Sequence, residues 1–136
     1  MYIPITALFT AFSAILMVPL ALQISIHYVR TGTDQATPNV LQDESLRRKT
    51  RAHGNFIENI PLGLILLGVV ELGGTPDMWV WAMGWTFLGG RVVHAVGQLT
   101  MDGPALRGVG MIASYLVYLT GAVWIFINCP FINGPA

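Results

Sequence analysis

Four apolar stretches, about Ile5 to Val29, Ala52 to Leu72, Met78 to Gln98 and Gly108 to Asn128, take up most of the 136 residues. At ~1.5 Å per helical residue, each is long enough to cross the ~30 Å hydrocarbon core of a bilayer. A segment in lipid must satisfy its own backbone N–H and C=O groups, so runs of this length predict helices. Charged residues make up only 10% of the chain, against about 25% in an ordinary soluble domain. The fold class is therefore an all-α membrane protein, a single four-transmembrane-helix bundle over residues 1–136.

The stretch from Arg30 to Thr50 reads as a solvated connector. It holds Thr31-Gly32-Thr33-Asp34, Thr37-Pro38-Asn39 and the run Arg47-Arg48-Lys49, the chemistry of turns and exposed chain. The first apolar run has no basic leader and exceeds the roughly 7 to 15 residues of a signal-peptide core, so it is expected to stay as a helix.

Arg30, Arg47, Arg48, Lys49 and Arg51 lie in or beside the first loop and Arg107 beside the third, while the second loop and both termini carry no Lys or Arg. Because basic loops are retained on the cytoplasmic side, loops one and three are expected there and both termini on the opposite side. The membrane would be the inner membrane of a bacterial cell or the endoplasmic reticulum of a eukaryotic one.

A net charge of zero and the lack of a basic stripe exclude nucleic acid as a partner. A lone cysteine, Cys129, excludes an internal disulfide and a Cys-based metal cluster, and no metal is expected. Small residues recur at four-residue spacing, Ala7 with Ala11, Ala21 with Ser25 and Gly110 with Ser114, which suits close helix packing.

The chemistry is concentrated where charge enters the apolar runs. Arg51, Asn55 and Glu58 are spaced i, i+4, i+7 and share one face of a helix. Arg91, His94 and Gln98, spaced i, i+3, i+7, form a second stripe on the antiparallel third helix. Glu58 lies ~10 Å below Arg51, and Arg91 ~10 Å above Gln98, so the two innermost charges share a depth. A carboxylate within a span costs roughly 2.5 to 3.5 kcal/mol on insertion scales, which calls for a partner.

One outcome is a buried Arg91–Glu58 ion pair that only fixes helix register. The other is a ligand site, because Arg30, Arg51, Arg91 and Arg107 together over-supply positive charge to one Glu58. That excess fits a ligand with carboxylates for the arginines and an ammonium for Glu58. Arg47, Arg48 and Lys49 suit anionic lipid headgroups, and Trp79, Trp81 and Trp85 suit an aromatic belt.

These residues resemble the family of membrane-associated proteins in eicosanoid and glutathione metabolism, which includes microsomal glutathione transferases, leukotriene C4 synthase and microsomal prostaglandin E synthase. The second-span pattern Arg-Ala-x-x-Asn-x-x-Glu followed by Pro matches Arg51, Ala52, Asn55, Glu58 and Pro61, and Arg91-Val92-Val93-His94 with Arg107 falls at offsets like those of the prostaglandin synthase branch. The resemblance covers essentially the whole chain. It implies a homotrimer of four-helix subunits that binds glutathione between neighbours near the cytoplasmic face. Arg51, Asn55 and Glu58 would hold the peptide, Arg30 and His94 would assist, Arg91 and Gln98 would support, and Arg107 would face the sulfur as the catalytic residue.

Three positions depart from the pattern. Gln98 replaces a tyrosine found in several members, Gly108 a serine and Gly54 an arginine of the prostaglandin synthase branch. They point away from eicosanoid synthesis and toward a general transferase, with peroxidase activity as a further option, acting on a hydrophobic small molecule or a lipid hydroperoxide. The rivals are a non-catalytic membrane scaffold and a small transporter. A small multidrug transporter has its essential carboxylate in the first span, where this chain has no charge.

Overall fold

The computed structural model describes residues 2–32, 43–100 and 104–128. Cys129, the Thr37-Pro38-Asn39 turn and the middle of the third loop lie outside them. Four helices run up and down: α1 (Pro4–Thr31), α2 (Glu44–Leu72), α3 (Asp77–Thr100) and α4 (Pro104–Asn128). The all-α class read from the apolar runs is what forms.

The expected connector is corrected at its end, since α2 starts at Glu44, two turns before the apolar run. Asp43 caps this start, its Oδ1 accepting the Leu46 N–H at 3.1 Å, a bond available to a side chain of this type at the N-cap. Glu44 then pairs with Arg47 and Arg48 one turn on, and Leu46 is buried. The Leu46 amide, followed by His27, holds the Asp43 carboxyl below the usual carboxylate range. With a lowered folded-state pKa, the cap is fully formed at neutral pH and is lost only as pH falls through that lowered value.

α2 packs against all three other helices, and α3 meets α4 along its length, whereas among the described residues α1 and α4 do not meet. The bundle is thus open on that side. Glycines set the closest approaches: a Cβ at Gly90 would sit 3.0 Å from the Gly110 carbonyl, and one at Gly110 would sit 2.7 Å from the His94 amide. Without a hydrophobic drive between helices in lipid, such backbone contact and van der Waals packing hold the helices together. Of the small-residue pairs, Gly110 and Ser114 are buried in this interface, while Ala7 and Ala11 face outward.

Two apolar clusters fill the bundle. Phe9, Leu67, Val80, Met83, Phe87 and Val117 pack toward the α2–α3 turn, and Leu20, Ala52, Phe56 and Ala95 toward the other end. By length and composition α1, α2 and α4 are apolar enough to cross a membrane. α3 falls short because Arg91, His94 and Gln98 lower its hydropathy, yet all three are buried in the bundle. Its outer face carries Trp79, Trp85, Val92 and Val96, and Trp81 and Trp85 stack on each other and meet Phe9 edge-on.

Glu71 has a role outside both polar stripes. α1 begins Ile3-Pro4 with no capping side chain, so its first amides are orphaned. The Glu71 carboxylate at the far end of α2 accepts both, Ile5 N–H at 2.9 Å and Thr6 N–H at 2.8 Å, where the positive end of the helix dipole also favours it. Glu71→Gln would turn one acceptor into a donor facing an amide. Bonds to a charged group are worth about 1.5 to 3 kcal/mol, so we expect a clear fall in the unfolding midpoint in detergent. An unchanged midpoint would contradict the clamp.

Candidate functional site

The α2 stripe and the α3 stripe meet at the end of the bundle where α1 finishes and α4 begins. Between them lies a cavity of ≈ 420 Å³ lined by Thr50, Arg51, Gly54, Asn55, Glu58, His94 and Gln98, within the ~300–1,000 Å³ typical of ligand pockets. Helical spacing is the cause: i, i+4, i+7 on α2 (Arg51, Asn55, Glu58) and i, i+4 on α3 (His94, Gln98) bring one wall from each helix. Arg51 and Glu58 are exposed at the rim, Asn55 is half-buried, and His94 and Gln98 are buried.

Arg91 is 1% exposed and does not line the cavity. It lies behind the wall, its Nη1 donating to Asn55 Oδ1 at 2.7 Å and its Nη2 to the Gly110 carbonyl at 3.1 Å. The Arg91–Glu58 ion pair considered from depth alone is therefore not formed. Glu58 has no ion-pair partner among the described residues and points its charge to the rim.

Asn59, one turn below Asn55, donates from Nδ2 to the Asn55 carbonyl at 2.8 Å and receives the Tyr118 hydroxyl at its own carbonyl and Oδ1, 3.0 and 3.2 Å away. Tyr118 is thus tied into the polar layer, whereas Tyr115 faces outward. Thr50 and Gly54 are wall residues that charge spacing alone did not single out. At Gly54 a Cβ would meet nothing within 4 Å, so the missing arginine leaves open space.

Besides Arg91, two expected site residues are not in the wall of this chain. Arg107 is half-buried beside it, its side-chain stem closing over Gly97, where a Cβ would sit 3.3 Å from Arg107 Cγ. Arg30 is exposed at the end of α1. α1 meets the Ala52–Phe56 side of α2, one residue round from the Arg51–Asn55–Glu58 stripe, and this keeps Arg30 off the cavity of its own chain.

Residues 6–127, nearly the whole chain, match the family model of the MAPEG family. The chain belongs to the MAPEG family. No curated protein and no solved structure matches it. MAPEG membership, together with three helices able to cross a bilayer, makes this a helical membrane protein of the family of glutathione and eicosanoid metabolism. The match takes in the second-span motif, both polar stripes and Arg107. The cavity between α2 and α3 is the candidate functional site.

Proposed function

We propose that this protein is a membrane glutathione transferase. Glutathione would occupy the cavity between α2 and α3, and its thiolate would attack hydrophobic electrophiles, or reduce lipid hydroperoxides at the expense of two glutathione molecules. The observation that carries this is a single cavity with a cation, Arg51, and an anion, Glu58, at its rim, and the polar side chains of Asn55, His94 and Gln98 in its wall. Glutathione offers two carboxylates, one ammonium and a thiol. Carboxylate-to-guanidinium and ammonium-to-carboxylate bonds are the strong, charge-assisted kind.

The thiol must be ionised to react, and at a pKa of ~8.5 it is mostly protonated at neutral pH. Arg107 stands at the start of α4, beside the wall, with open space at Gly108. A guanidinium there would stabilise the sulfur anion because it stays protonated itself. The thiol proton leaves to solvent, the sulfur forms the new C–S bond, and the electrophile's leaving group departs with the bond's electrons.

The acting unit would be a homotrimer. α1 and α4 present unpartnered apolar faces, including Ile15, Val18, Leu22, Leu116, Leu119 and Val123, and Arg51 and Glu58 are exposed at a cavity open on one side. A neighbour packed there would bring its own Arg30 to the rim, in keeping with the interfacial site of the family. The cytoplasmic side would be that of loops one and three, with Arg47, Arg48 and Lys49 at the headgroups.

The test is turnover of glutathione with a model electrophile by the purified protein, with the oligomer read by native mass spectrometry. We expect conjugation by a trimer. A fully active monomer would contradict the assembly, and glutathione binding without conjugation or peroxide reduction would favour the scaffold reading.

A further inference from the structure

Arg91 is the most enclosed charge among the described residues, and no carboxylate pairs with it. A guanidinium keeps its charge at any biological pH, and a buried charge without a counter-ion is strongly disfavoured. Its bonds go to neutral acceptors instead, Asn55 Oδ1 at 2.7 Å and the Gly110 carbonyl at 3.1 Å, with Met111 Sδ at 3.6 Å from the same Nη2. Its Nε is buried with no acceptor. Register alone would be served better by a pair with Glu58, so this arrangement calls for another explanation.

That explanation starts from the chemistry of Asn55. Its side chain has one acceptor oxygen and one NH₂ donor. Which end points where is set by the hydrogen-bond network, and here the network leaves no choice. A guanidinium has donors only, so the atom facing Arg91 Nη1 is the oxygen. The NH₂ end is what remains for the cavity that Asn55 lines. Asn59 and Tyr118 brace the same stretch of α2 from below, and Gly110 holds the other arm of Arg91. The chain of bonds thus joins α2, α3 and α4 behind the wall.

We propose that Arg91 is a positioning residue that fixes the polarity of this wall. By occupying Asn55 Oδ1 it leaves only N–H donors for the ligand. The site then takes an acceptor at this point, and favours a carboxylate over a carboxamide because the bond to a charged acceptor is the stronger one. The proposal rests on glutathione being the ligand, and it adds which end of Asn55 reads the ligand and what holds that end in place.

The experiment compares glutathione with its two mono-amides, each with one carboxylate converted to a carboxamide, by calorimetry on the purified protein in detergent. In the parent, the analogue altered at the Asn55 contact should bind at least tenfold more weakly than glutathione. Arg91→Met and Asn55→Ala should each remove that discrimination, and the double variant should remove no more than either alone, because Arg91 acts through Asn55. Independent, additive losses would mean that the Arg91 charge acts on the ligand by itself, and would overturn the proposal.

Asn55→Asp is the second arm, informative even if Arg91→Met does not fold. It keeps the shape and the contact to Arg91 but replaces the donor by an acceptor. Thermal stability should match or exceed the parent while glutathione affinity falls about a hundredfold. Affinity within threefold of the parent would overturn the proposal. A parent protein that binds no glutathione would overturn the functional reading and this inference together. Parent binding with discrimination unchanged in Arg91→Met would overturn this inference alone.

Discussion

Replacing Arg107 by leucine is expected to lower the rate of glutathione conjugation by about 10² to 10³, the usual cost of removing one preorganised stabiliser of a developing anion. Ground-state affinity should stay within a few-fold, since the peptide would be held by Arg51, Asn55 and Glu58. A rate loss without a binding loss marks an interaction made with the thiolate and the transition state. The substitution is mild structurally: Arg107 is only half-buried, and the stem that covers Gly97 has an apolar counterpart in leucine. Rates and affinities are to be measured on the same preparation. A variant that turns over at the parental rate would remove Arg107 from the mechanism and leave it as a loop anchor at the headgroups.

The second large effect is expected at Glu58. It is exposed at the cavity rim, and Arg91, the one cation at its depth, is engaged by Asn55 and Gly110. Its negative charge is thus available to the ligand ammonium. Glu58→Gln keeps the shape and removes the charge. A charge-assisted bond is worth about 1.5 to 3 kcal/mol, and ~1.4 kcal/mol is tenfold in affinity, so the glutathione Kd should rise by one to two decades while the unfolding midpoint stays unchanged. The opposite pattern, unchanged Kd with lost stability, would assign Glu58 to holding the bundle.

The four helices were legible because crossing a bilayer imposes a length and an apolar composition that few other folds share. The polar stripes were legible for a similar reason, since Arg51, Asn55 and Glu58 in an apolar helix can only lie on one face. Partner choice was not legible. Depth alone suggested Arg91 with Glu58, but rotation about the helix axes turns Arg91 toward Asn55 and the Gly110 carbonyl and turns Glu58 outward. Proximity of Gly90 to Gly110 also escaped the four-residue pattern, because it is a contact between helices and spacing within one helix does not encode it. The first turns of α2 look like loop in the sequence because their stabilisation is local and polar, through the Asp43 cap and the Glu44 pairs. Glu71 had one usable signal: an α1 start without a capping side chain needs an acceptor from elsewhere. Arg30 shows the remaining gap: its charge suggested a place in the site, yet it stands exposed at the end of α1 and does not line the cavity of its own chain.

The account stands or falls on whether this protein turns bound glutathione into a thiolate. Thiolate absorbance in the ultraviolet, followed as glutathione is titrated into the purified protein near neutral pH, reads this directly. The account predicts a thiolate signal that saturates with binding, is absent in Arg107→Leu and weakens in Glu58→Gln in step with affinity. Glutathione that binds to saturation with no thiolate signal in the parent protein would contradict it.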